Sequence, residues 1–202
     1  MKTIPRKFEN TLRENGFCRI IGIDEVGRGA WAGPIVAAGV LFDAKTVIKG
    51  VHDSKKLTAK NREELSLEIR DKALCFSIQE IDNIEIDNIG IGTANTLVIK
   101  RVIEELKPDY ALIDKAWVDH LDVPHELIIK GDSKVFTIAA ASIIAKVYRD
   151  ALMDAFHEQY PHYAFNENKG YGTKDHQDGL DKHSYCPIHR KSYQPILQSK
   201  LI

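Results

Sequence analysis

The sequence predicts an α/β fold: a mixed five-stranded sheet flanked by helices, with a helical extension at its C-terminal end. Three observations carry this. Two short apolar runs, 18–24 and 34–42, are joined by a short link bounded by Gly29 and Gly33, the pattern of an antiparallel hairpin. Short apolar runs then alternate with longer segments of helical period, the pattern of helices laid on a sheet. Three of the apolar runs also lead into an aspartate, as IIGID, YALID and LIIKGD.

In chain order, residues 1–16 are polar with scattered apolar positions and read as a short helix or an arm. The run IIGID closes the first strand. PIVAAGVLF is too short for an ordinary helix, begins with Pro34 and is rich in small and β-branched residues, so it reads as a second strand. HDSKKLT is a polar loop, and Thr58 is placed to cap a helix over 59–72 with Leu65 and Ile69 on one side. A third strand is expected over 73–81. A second helix is expected over 88–106, where Leu97, Val98, Arg101, Val102 and Leu106 fit a half-buried helix that Pro108 ends. Strands over 110–113 and 126–129 follow. The longest helix is expected over 138–160, with Ile144, Tyr148, Leu152 and Ala155 on one side and Lys146, Asp150 and His157 on another. The remainder is rich in Gly, His, Lys and Tyr, and has one expected helix over 174–182. The division expected is 1–160 as the main domain and 161–202 as an extension packed on it, with the composition of a substrate-binding segment. Parallel pairing of the first, fourth and fifth strands is natural here, and ligands of such sheets gather at the carboxyl ends of the strands.

Composition narrows the classes. The chain has 202 residues, 44% hydrophobic and 28% charged, ordinary for a soluble globular protein and enough for one domain with an addition. No apolar run approaches the roughly 20 residues that span a bilayer. MKTIPRKFEN lacks the apolar stretch of a secretory signal. Cys18, Cys75 and Cys186 are far apart and without CxxC spacing, which favours a reduced, cytoplasmic setting and argues against zinc. A net charge of −1 argues weakly against nucleic acid. Acidic residues concentrate within 61–126, however, and leave the rest of the chain net positive. One basic face is sufficient to hold phosphates.

The chemistry centres on IIGIDEVGRG. Asp24 and Glu25 stand at the end of a buried strand, where carboxylates are costly to desolvate unless a cation or hydrogen bonds compensate them. Gly27-Arg28-Gly29 follows, a turn that permits close backbone approach and adds a fixed positive charge. If Asp24, Asp114 and Asp132 end neighbouring parallel strands, they converge on one edge. An oxygen-only donor set without a histidine cluster or thiol pair describes a hard-cation site, Mg²⁺ or Mn²⁺. Two ions would clamp the attacking and leaving oxygens of a phosphodiester displacement. The plainer alternative is that strand-end aspartates are caps and turn formers. Neighbours along a regular strand face opposite ways. Asp24 and Glu25 therefore share an ion only if the strand has ended or bulged, or if Glu25 uses its main-chain carbonyl.

These blocks resemble the bacterial ribonuclease HII family. IGIDEVGRG with AGPIVAAGV, DSKKLT, LID, KGDSKVFTIAAASIIAKVYRD, and NKGYGTKDH with CPIHRKSY occur in the family's order from about residue 20 to 194. The resemblance implies an RNase H-like fold with a C-terminal helical extension. It implies cleavage of the RNA strand of RNA–DNA hybrids and incision 5′ of single ribonucleotides in duplex DNA, leaving a 3′-hydroxyl and a 5′-phosphate, as in ribonucleotide excision repair. The family's catalytic and metal-holding acids map to Asp24, Glu25, Asp114 and Asp132. Asp24 is expected to bridge two ions, with Asp114 and Glu25 on one and Asp132 on the other. Substrate contacts are expected from Gly27, Arg28, Gly29 and Tyr171, and from Ser54 and Lys55 with Lys56 in a loop. Lys146 and Arg149 are expected on the substrate backbone. Asp150 and Asp154 are expected to be structural or solvated, and His176 and His189 to pack or hydrogen-bond.

Two departures stand out. Lys115-Ala116-Trp117 follows Asp114 where the family has glycine and asparagine, and the helix region 88–101 diverges. PILQSKLI carries no sliding-clamp motif, and the short segment before the first strand favours type HII over type HIII. The implied protein is a cytoplasmic monomer with no membrane role. Two rivals remain: another nuclease of this broad fold without ribonucleotide specificity, such as a DNA-junction resolvase, and a catalytically inactive hybrid-binding module.

Overall fold

A computed structural model describes residues 3–52, 57–114 and 118–199. Its second strand, β2 (Ile35–Leu41), is buried along its whole length and divides its side chains between two helical layers. Val36, Ala38 and Val40 pack with Leu65 and Ile69 of α2 (Ala59–Lys72) and with the first half of α5 (Phe136–Gln159). Ile35, Ala37 and Leu41 pack with Ile86 of α3 (Asn83–Ile89) and with Val98, Ile99 and Val102 of α4 (Ile91–Leu106). This period of two is what a strand covered on both faces produces.

Around β2 the sheet runs β3-β2-β1-β4-β5, with β1 (Ile20–Val26), β3 (Cys75–Ile81), β4 (Tyr110–Asp114) and β5 (His125–Ile128). β1, β2 and β3 are antiparallel neighbours, while β1, β4 and β5 run parallel. The mixed five-stranded sheet is thus as the sequence predicts, including the parallel trio. α5 lies close on β1 because Gly22 has no side chain: a Cβ there would stand 2.2 Å from the Thr137 carbonyl carbon. Glu9 of α1 (Lys7–Glu14) meets the start of α5. Its buried carboxylate accepts from the Thr137 N–H at 2.9 Å and from the Thr137 hydroxyl at 3.0 Å. It thereby caps a helix whose own N-cap residue, Val135, makes no side-chain cap bond.

The structure corrects several expected boundaries. The helix expected over 88–106 is two helices, because Gly90 takes φ +79°, and Asp82 caps α3 by accepting from the Glu85 N–H. β1 does not end at Asp24. Pairing with β2 continues through Glu25 opposite Ala37 and Val26 opposite Val36, with no bulge. The single C-terminal helix expected over 174–182 is α7 (Lys174–His183), accompanied by short α6 (Phe165–Asn168) and α8 (Gln194–Gln198). This segment packs on Ala32 and on Met153 of α5 through Tyr163, Phe165, Leu180, Ile188 and Ile196. The Asp87 carboxylate ties it to α3 by accepting from the N–H groups of Lys191 and Ser192.

Candidate active site

The parallel register builds the site. Ile23 lies opposite Ile113, so Asp24 and Asp114 are the next residues along neighbouring strands. Asp114 closes β4. Asp132 does not end a strand, as the sequence suggests. It sits in a one-turn 3₁₀ helix, Gly131–Ser133, beyond β5, after Lys130 at φ +56°. The Gly131 N–H donates to Asp114 Oδ1 at 2.8 Å and locks this turn to the end of β4. The fit is close: a Cβ on Gly131 would stand 2.7 Å from Ile138 Cδ1, so that side chain would have to shift.

Asp24 and Asp132 are buried, and Asp114 is half-buried. Burial first, then the charges of Glu25 and Asp114, hold the Asp24 carboxyl well above the usual carboxylate range; Asp132 adds to the rise. A hydrogen bond from Ser142 of α5 works in the opposite direction. Ser142 is a site residue that sequence reading missed. Its signal is a lone hydroxyl in the buried run IAAASIIA of α5. Glu25 is the exception among the acids. Its N–H donates to Asp24 Oδ1 at 2.8 Å, but regular pairing sends its side chain to the opposite face of the sheet from that of Asp24. The ended or bulged strand that would turn both carboxylates to one ion is not found.

The donor chemistry fits a hard divalent cation: the groups are oxygens, and Asp24 carries a repulsion that a cation would cancel. Among the described residues no three His, Cys, Asp or Glu side chains already stand close enough to enclose an ion. A divalent cation held by these few carboxylates would take its remaining oxygens from water and substrate phosphate.

The glycine turn follows β1 directly. Gly27 takes φ +91°, and its N–H donates to the Tyr171 hydroxyl at 3.2 Å. The structure therefore brings Tyr171, from a distant motif, onto this turn. Arg28 and Gly29 are exposed. Lys146 lies one helical turn beyond Ser142 and pairs with Asp150 at 2.6 Å. Asp150 also stands 3.9 Å from Arg62, and Asp154 pairs with Lys169. Arg149 needs a correction. It is expected on the substrate backbone, yet it is fully buried. Its guanidinium donates to the carbonyls of Pro34 at 2.9 Å, Lys169 at 2.8 Å and Ala32 at 3.1 Å, and lies over the Tyr171 ring. It braces the turn from behind. Ser54, Lys55 and Lys56, and the departure at 115–117, lie outside the described residues.

His176 and His189 have the hydrogen-bonding role expected of them. The Cys186 N–H donates to His189 Nδ1 at 3.0 Å, so Nε2 carries the proton and donates to His176 Nε2 at 2.9 Å. His176 Nδ1 then donates to the Tyr171 carbonyl at 3.0 Å. Burial lowers His176 from its ordinary value. Burial and then the His176 charge lower His189 to about 4. The unfolded chain therefore takes up protons near pH 6.5 that the native chain refuses until about pH 4. Stability contributed by this pair is complete above pH 6.5 and falls as pH drops through that window, by about 3 kcal/mol for His189. Melting curves between pH 7.5 and 4.5 should fall steeply for the native sequence. They should be flatter for His189→Gln, itself less stable at pH 7.5; equal slopes would refute the coupling.

A mixed sheet that sets Asp24 beside Asp114 on neighbouring parallel strands, with Asp132 in the turn beyond β5, has the donor set of a metal-dependent nuclease. The model of the family Ribonuclease HII matches residues 21–196. Ribonuclease HII of Idiomarina loihiensis is 49% identical over 179 residues, covering 88% of this chain and 96% of that one. The chain belongs to the ribonuclease HII family and is a metal-dependent endoribonuclease acting on RNA–DNA hybrids. Among solved structures, ribonuclease H2 from Pyrococcus horikoshii OT3 superposes with a TM-score of 0.81 at 24% identity, over 91% of this chain and 98% of that one. Bst-RNase HIII in complex with Mn²⁺ has the same fold, with a TM-score of 0.68 at 17% identity over 94% and 71% of the chains.

Proposed function

We propose that this chain incises duplex DNA on the 5′ side of single embedded ribonucleotides, as well as the RNA strand of longer hybrids, and leaves a 3′-hydroxyl and a 5′-phosphate. The observation that carries the reading is the placing of Gly27–Gly29 and Tyr171 immediately beyond Asp24 on β1. An agent that must tell RNA from DNA has to read the 2′-hydroxyl beside the scissile phosphate. A glycine-bounded turn lets backbone groups reach a sugar that side chains would fend off. Tyr171, with its hydroxyl on the turn, presents a ring against which the adjoining sugar packs.

Two divalent ions, Mg²⁺ or Mn²⁺, would supply charge neutralisation at the phosphate and an acidified water. Asp24 would bridge them, Asp114 and Glu25 would hold one, and Asp132 the other. Because β1 stays regular, Glu25 would contribute through its main-chain carbonyl or after a local change. Ser142 holds the Asp24 carboxylate in place. Lys146, near the same helix face, together with Lys55 and Ser54, would contact the substrate backbone. Residues 161–202 would act as the substrate-binding extension of a catalytic domain formed by 1–160. The reading carries with it a monomer that makes the first cut in removing ribonucleotides from DNA in the cytoplasm. No described helix is long and apolar enough to cross a membrane.

The test is one labelled duplex with a single ribonucleotide beside the same duplex without it, each in Mg²⁺, Mn²⁺ or EDTA, with the ends mapped. A metal-dependent cut only in the first, immediately 5′ of the ribonucleotide, is expected. Cutting in both would mark a general nuclease. Cutting only in long hybrids would keep the acids and discard the single-ribonucleotide reading. No cutting of any substrate would leave a hybrid-binding module.

A further inference from the structure

We propose that Arg190 and Tyr193 are positioning residues that orient the Arg28–Gly29 peptide so that the Gly29 N–H faces the substrate. The inference rests on reading Gly27–Gly29 as the turn that meets the sugar. The Ala30 N–H donates to the Gly27 carbonyl at 3.3 Å, so Gly27 to Ala30 form a β-turn whose central peptide joins Arg28 to Gly29. That peptide's carbonyl is held from inside the protein. Arg190 Nη1 donates to it at 2.9 Å and the Tyr193 hydroxyl at 2.7 Å. Arg190 also donates to the Gly33 carbonyl at 3.0 Å and to the Tyr193 hydroxyl at 2.9 Å, and is itself fully buried. The peptide is trans, so carbonyl and N–H point in opposite directions. A carbonyl anchored inward therefore turns the Gly29 N–H outward. Gly29 is exposed, and its N–H meets no acceptor among the described residues.

Such an anchor has a physical purpose. The two commonest β-turns differ by a flip of this central peptide, and the flipped form needs φ > 0 at the third residue. That residue is Gly29, which adopts positive φ at little cost. In the structure Gly29 does not have positive φ. A glycine there would leave the donor free to rotate away, and the two inward bonds hold it. Arg28 itself needs no particular side-chain contact for this effect, because the donor belongs to the backbone.

Removing Arg190 strips bonds from two carbonyls and risks the fold, so the informative variant is Tyr193→Phe, which deletes one hydroxyl. Binding is measured in Ca²⁺, for wild type and variant, to a DNA duplex with one ribonucleotide and to the same duplex in all-DNA form, beside a melting curve. The expected result is at least a fivefold loss of affinity for the ribonucleotide duplex. Affinity for the all-DNA duplex should stay within twofold and the melting temperature within about 3 °C. Equal losses on both duplexes, or no loss on either, overturn the positioning role while leaving the proposed function intact. If the wild type itself neither prefers nor cuts the ribonucleotide duplex, the proposed function falls and this inference with it.

Discussion

Replacing Asp24 with Asn is expected to lower turnover at least a thousandfold while raising the melting temperature of the metal-free protein. The two effects share a cause. Asp24 is buried among Glu25, Asp114 and Asp132, and its carboxyl is held well above the ordinary range chiefly by burial and then by those charges. A group whose native pKa is raised gives up stability as pH climbs past its unfolded value, so at neutral pH the cluster opposes folding. An amide keeps the shape and can still accept from Ser142, but carries no charge. The gain should be of order 1 kcal/mol, or about 2–4 °C for a chain of this size. Added Mg²⁺ or Mn²⁺ should raise the melting temperature of the wild type and have much less effect on Asp24→Asn. A variant that melts lower than wild type without metal would show that the acids do not strain one another. A variant that retained near-normal turnover would remove Asp24 from the chemistry.

The second large effect is expected at Arg149. Arg149→Lys should lower the melting temperature by about 10 °C, from a loss of roughly 3–5 kcal/mol. The guanidinium donates to three carbonyls from a fixed planar fork, and its position is enclosed on all sides. A lysine ammonium cannot reproduce that fork, and each buried carbonyl left without a donor costs about 1–3 kcal/mol. Burial lowers Arg149 to about 10, which still leaves it charged at neutral pH. Thermal melting beside steady-state kinetics separates the two roles. A contact to the substrate backbone would raise KM and leave stability alone, whereas a brace lowers stability first. An unchanged melting temperature with a raised KM would restore Arg149 to the substrate.

Elements with strong local signals were legible in the chain. Thr58 caps α2 by accepting from the Asn61 N–H, and the helix spans the residues its periodicity marks. β2 is flagged by an apolar run too short for a helix, and the parallel trio of strands by their separation. The break at Gly90 was missed because local pattern does not announce which glycine takes positive φ. The small helices α6 and α8 were missed for a different reason: at four and five residues they have no period to read.

Of the candidate site, the acids and the glycine turn could be named from their neighbours in sequence, because each belongs to a short motif with its own chemistry. Local motifs thus supply the menu of groups: oxygen donors at strand ends, a glycine-bounded arginine, a tyrosine between glycines, all within the ribonuclease HII pattern. The tertiary structure decided which of them face the same space. Register set Asp24 beside Asp114, a 3₁₀ turn carried Asp132 past the end of β5, and unbroken pairing sent Glu25 to the other face. Arg149, expected on the substrate backbone, and Arg190, which no local pattern singles out, are buried and hold carbonyls far away in sequence. A charged side chain becomes interior only when distant segments supply its hydrogen-bond partners, and that supply is set by folding, not by any window of sequence.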